Sequence, residues 1–85
     1  MKETFKEVVA SELRALRAKY NYKQKEVADM AGIDTMTVVR YENNSTSMQL
    51  DMLEKIISVY ELDLSIFFDI VSANMQNNKI NLRVD

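Results

Sequence analysis

Residues 31–44 read AGIDTMTVVRYENN, and they hold Gly32, the only glycine of an 85-residue chain without proline. Glycine adopts positive φ without the steric cost that a Cβ imposes. A lone glycine between two short apolar-periodic stretches predicts a tight turn. Before it, KQKEVADM (residues 23–30) reads as a short helix with Val27, Ala28 and Ala31 facing inward. After it, Ile33 is an apolar plug and Asp34 is a good N-cap for a helix over about 35–42. Val38 and Tyr41, three residues apart, supply that helix with an inner face.

Further helices are predicted on both sides. Over residues 4–20, Thr4 and Glu7 have capping-box spacing. There Phe5, Val9, Leu13, Leu16 and Tyr20 recur on one helical face. NNSTS (residues 43–47) is a polar loop, from which Ser47 or a neighbour starts a helix over about 48–60. Its apolar stripe is Leu50, Leu53, Ile56, Ile57 and Tyr60. Asp63 can cap a last helix beginning at Leu64, which is apolar around more than half its circumference through Phe67, Phe68, Ile70, Val71 and Met75. In NNKINLRVD (residues 77–85), Ile80, Leu82 and Val84 alternate, a weak strand signal or a flexible tail. The expected organisation is one all-α domain over 1–76 and a short tail over 77–85.

Composition narrows the chemistry. No cysteine is present, so neither disulfides nor thiolate chemistry is available, and no histidine, which removes the commonest general base and metal ligand. No apolar run approaches a membrane span and MKETFKEVV lacks a signal-peptide core, so a cytoplasmic location is expected. Net charge is −2, but residues 14–45 carry six basic and four acidic groups, and the deficit lies elsewhere. Attraction to phosphate follows the charge of one face rather than the sum.

Two short helices around a glycine turn make a helix-turn-helix, whose second helix can lie in the DNA major groove. Residues 13–44, LRALRAKYNYKQKEVADMAGIDTMTVVRYENN, closely resemble the Cro/phage-repressor helix-turn-helix family, also called the xenobiotic-response-element family. The matching stretches are Leu13–Arg17, Gln24–Ala28, Gly32–Asp34 and Arg40–Asn44, and the likeness extends over residues 5–69. It implies a five-helix, lambda-repressor-like DNA-binding domain. Three departures stand out: Lys23 where a helix-capping Thr is usual (with Asn21 as a substitute cap), Asn44 for Gly after the third helix, and Glu61 for Gly after the fourth.

The resemblance assigns Gln24 to phosphate. Thr35, Met36, Val39 and Arg40 fall on the outward face of the third helix, where a Thr methyl or Met thioether suits a thymine methyl and Arg suits guanine or phosphate. Thr37, Asn43, Asn44 and Ser45 read as phosphate-positioning groups. In the family an Arg at the position of Arg17 pairs with a Glu at that of Glu42, a structural role. The apolar excess of the last helix marks Phe68, Val71 and Met75 as a dimer seam, with the 79–85 segment pairing across it or forming the seam in its place.

The expected function is a sequence-specific regulator binding a palindromic operator in double-stranded DNA as a homodimer. The alternative is an antitoxin or protein-interaction module whose helix-turn-helix is secondary. Catalysis is not expected, since carboxylates are scattered over helix surfaces and no phosphate-cradling loop is present. No cofactor, metal, small-molecule ligand or membrane is implied.

Overall fold

The computed structural model describes the backbone of residues 4–83 and the side chains of residues 4–75. Five helices follow in order: α1 (Phe5–Tyr20), α2 (Gln24–Ala31), α3 (Thr35–Glu42), α4 (Leu50–Ser58) and α5 (Leu64–Arg83). Three of them start where the sequence provides a capping oxygen. Thr4 Oγ1 accepts from the Glu7 N–H (3.1 Å) while Glu7 Oε1 accepts from the Thr4 N–H (2.7 Å). Asp34 Oδ1 accepts from the Met36 N–H at 2.8 Å. Asp63 Oδ1 accepts from the Ile66 N–H (2.9 Å) and the Ser65 hydroxyl (2.7 Å), and these bonds hold its carboxyl below the usual range. Each such cap contributes about 1 kcal/mol.

Helices α2 and α4 start less well. The N-cap of α2 is Lys23, not Asn21, which instead closes α1 in the left-handed conformation (φ 58). Lys23 has no capping oxygen, so only the return bond from its N–H to Glu26 Oε1 is made (2.7 Å). Helix α4 begins at Leu50 rather than near residue 48, and its N-cap Gln49 offers no side-chain cap.

Gly32 terminates α2 at φ 72. A Cβ built there would meet nothing within 4 Å, so the glycine answers a backbone requirement and not a lack of space. Asn44 (φ 56) and Glu61 (φ 60) take the same conformation without glycine. Asparagine visits it readily, whereas at Glu61 it stores roughly 1 kcal/mol.

Helix α1 packs on α3 and α5, α2 on α3 and α4, and α4 on α5. The core between them comprises Val8, Val9 and Leu13 from α1, Val27 and Ala28 from α2, and Val38 and Tyr41 from α3. Leu53, Ile56, Ile57, Tyr60, Phe67 and Val71 complete it. Three residues of the expected apolar stripes are exposed: Phe5 (48%), Leu50 (65%) and Tyr20 (38%), the last residue of α1. Phe5 and Leu50 are each the first residue of their helix. Helical side chains lean toward the N-terminus, so these two project past the end of the packed surface.

Two expectations for the last helix are corrected. Val71 belongs to the core of the single chain, fully buried, and has no surface to offer a second copy. Phe68 and Met75 are half-buried against the same core. The possible strand over 77–85 is also not formed as far as the described residues reach, because α5 continues unbroken to Arg83; residues 84 and 85, and with them Val84, lie outside the described residues. Extending an existing helix adds one hydrogen bond per residue ordered, whereas a lone strand has no partner for its backbone groups.

Three tyrosines close one end of the core. Tyr20 stacks on Tyr22 (ring centroids 5.7 Å) and donates its hydroxyl to the Tyr60 carbonyl (3.1 Å). The Tyr60 hydroxyl is buried with no hydrogen-bond partner among the described residues. Its burial, with Glu42 nearby, pushes its pKa up to about 12. Tyr60→Phe is therefore expected to raise stability by about 1 kcal/mol at neutral pH, since an unsatisfied hydroxyl is removed. The fold favours the neutral phenol, so the unfolded chain releases this proton first. Stability from this group is complete below pH 10, the ordinary value, and declines as pH rises toward 12. The loss amounts to roughly 2–3 kcal/mol. Denaturant midpoints at about pH 8 and about pH 11 should separate the two proteins further at the higher pH.

Candidate nucleic-acid interface

The α2–Gly32–α3 unit is held on α1 by one buried carboxylate. Glu42, the last residue of α3, is 2% exposed. Arg17 Nε donates to both of its oxygens (3.0 and 2.9 Å), and Gln24 Nε2 donates to Oε1 (3.1 Å). Arg17 also donates through Nη1 to the Tyr22 carbonyl at 3.1 Å, just before α2 begins. The backbone carbonyl of Glu42 accepts from Arg14 Nη1. One residue thus ties α1, α2 and α3 together, and the orientation of α3 is set by charge-assisted bonds as well as by Val38 and Tyr41 beneath it.

With Val38, Tyr41 and Glu42 buried, α3 presents the remainder of its sequence outward. Met36 is 49% exposed, Arg40 and Asn43 are exposed, and Thr35, Thr37 and Val39 are half-buried. All the residues expected at base edges (Thr35, Met36, Val39 and Arg40) therefore retain accessible surface on one helix.

Beside them is a hollow of about 190 Å³ lined by Thr37, Arg40, Tyr41, Thr46, Ser47 and Gln49. Tyr41 Oη accepts from the Gln49 N–H (2.9 Å), which fastens the loop and the start of α4 to α3. Thr46, Ser47 and Gln49 were not expected at the interface: Ser47 was read only as a helix start, and nothing in the sequence marks Thr46 or Gln49. Arg14 is likewise an addition; its position three residues before Arg17, on the same face of α1, is the signal that could have indicated it.

The expected phosphate contacts divide. Gln24 is half-buried and uses one amide proton on Glu42. Ser45 turns both its backbone N–H (3.0 Å) and its hydroxyl (3.4 Å) to the Arg40 carbonyl, so it closes α3. Asn44 has its side-chain oxygen buried with no partner among the described residues. Among the described residues there is no cluster of His, Cys, Asp and Glu fit for a metal, and no helix long and apolar enough to cross a membrane.

Comparison with known proteins gives this geometry a family. Over 72 residues the chain is 29% identical to a protein of Pyrococcus furiosus named as an HTH-type transcriptional regulatory protein; the match takes in 85% of this chain but only 23% of that protein's length. Among solved structures, the restriction-modification controller protein C.Esp1396I superposes with a TM-score of 0.75 at 19% identity, covering 85% of this chain and 95% of that one. In its tetramer on a natural 35 base-pair operator, the same controller gives a TM-score of 0.79, covering 88% and 99%. The clp gene regulator ClgR from Corynebacterium glutamicum gives 0.80 at 12% identity, covering 99% and 89%. The helix-turn-helix family model matches residues 13–67. With five helices in the expected order and well over half of its length matched, the chain belongs to the Cro/C1-type helix-turn-helix family, a family of DNA-binding transcriptional regulators.

Proposed function

We propose that this protein is a sequence-specific regulator of transcription that binds a palindromic operator as a dimer, with α3 in the major groove. The observation that carries the reading is the exposed face Thr35–Met36–Val39–Arg40 on a helix whose opposite side is locked to α1 through Glu42. A recognition helix must be both rigidly held and outwardly bare. The operator complex of the structurally similar controller protein supports the same reading. The hollow between Arg40 and Ser47 is a suitable seat for a backbone phosphate.

For the dimer, the apolar groove of about 300 Å³ lined by Phe5, Leu50, Leu53 and Phe68 is the better seam than the buried Val71. It keeps Phe68 from the expected interface and adds two large, exposed side chains.

Selection of bound sites from random DNA at fixed salt tests the function directly, with a palindrome as the expected product. Arg40→Ala is expected to cost about 1–3 kcal/mol of specific binding and to relax preference at one base pair per half-site. Titrations on the selected site and its single-base variants measure this. A loss uniform over all sequences moves Arg40 to a phosphate, and no loss at all removes α3 from the interface.

A further inference from the structure

The outward face of α3 carries one cation, Arg40, and beyond it only the hydroxyls of Thr35 and Thr37 as polar side-chain groups. Met36, Val39 and Arg40 are neighbours at helical spacing, and Thr35 stands one turn before Val39. Adenine is read by Asn or Gln, and cytosine by Asp or Glu. The first two turns of α3 expose none of these. Asp34 is engaged in capping through the Met36 N–H, Glu42 is buried on Arg17, and the Gln24 amide donates to Glu42. Besides Arg40 and the threonine hydroxyls, which can bond to any base and so discriminate little, what remains there is a bare thioether and the methyls of threonine and valine. Among the four bases, only thymine shows an apolar group in the major groove, its C5 methyl.

We propose that α3 is a methyl reader: Met36, flanked by Thr35 and Val39, seats on the C5 methyl of a pyrimidine in each half-site. Thymine is then preferred over uracil at that position, and 5-methylcytosine over cytosine. Occupancy of such a site would respond to cytosine methylation with no change in the protein. The proposal rests on the DNA-binding reading above and adds the chemical class that this face selects.

The test uses duplexes carrying the selected operator, titrated by fluorescence anisotropy at fixed salt. Thymines are replaced singly by deoxyuridine, which removes the methyl and leaves the pairing intact. At about one or two positions per half-site, binding should weaken by about fourfold, the equivalent of one methyl left unburied. At the same positions, 5-methylcytosine paired with guanine should bind more tightly than unmodified cytosine. Met36→Ala should bind thymine and uracil duplexes equally; Met36 is half in solvent, so the variant keeps the fold. Equal affinity of the unaltered protein for thymine and fully deoxyuridine-substituted operators overturns the proposal. So does full thymine preference in Met36→Ala. If selection recovers no sequence at all, it is the DNA-binding reading that fails, and the methyl reader falls with it.

Discussion

Arg17→Met should lower the stability of this protein by about 3 kcal/mol or more, because it leaves the buried Glu42 carboxylate without its cation. Glu42 is 2% exposed, and only the Gln24 amide remains to hydrogen-bond it. The Tyr22 carbonyl loses its donor in the same step. A small domain has only about 5–15 kcal/mol in total, so the loss is a large fraction of it. Denaturant unfolding measures it, and an unchanged midpoint would show that solvent reaches the carboxylate. The double variant Arg17→Met, Glu42→Leu should recover most of the loss, since an apolar pair of similar volume often replaces a buried ion pair without cost. Its DNA binding should remain weaker than its stability predicts. The carboxylate also holds Gln24, and the orientation of α3 would then rest on packing alone.

Val71→Asp is expected to unfold the single chain, at a cost of about 4 kcal/mol or more. A carboxylate placed at a fully buried site among Val9, Phe67 and their neighbours finds no partner there. Leu50→Asp should behave in the opposite way. Leu50 is 65% exposed at the first position of α4, where an acidic side chain suits the helix N-terminus. The Leu50 variant should stay folded, sediment as a monomer if the groove is the seam, and bind the operator weakly with a shallower salt dependence. Circular dichroism and sedimentation of the two variants distinguish core from seam. A folded Val71→Asp monomer would return the seam to the stripe Phe68–Val71–Met75. A dimeric Leu50→Asp would move it away from the groove.

Local chemistry was legible in the sequence. The caps at Thr4, Asp34 and Asp63, the glycine turn and the bounds of α3 depend on residues within a few positions of one another, and each was read from them. The outward set on α3 followed from the inner pair Val38 and Tyr41, because helical periodicity assigns both faces at once. The Arg17–Glu42 pair came from the family pattern, and the structure adds Gln24 and Arg14 to it.

What the sequence could not supply depends on contacts between distant elements. Periodicity places Val71 on an apolar face of α5, but whether a second copy or α1 covers that face is decided by how the helices pack. Leu50 fits the α4 stripe by count, yet it stands at the helix end, where no other element lies over it. The alternation of Ile80 and Leu82 has the period of a strand, but a strand needs a partner; with the helix already begun at Leu64, propagation to Arg83 prevails. The fold class was thus written in short-range signals. The division of the apolar surface between core and interface was decided only by tertiary packing, because burial is a property of neighbours and not of the residue.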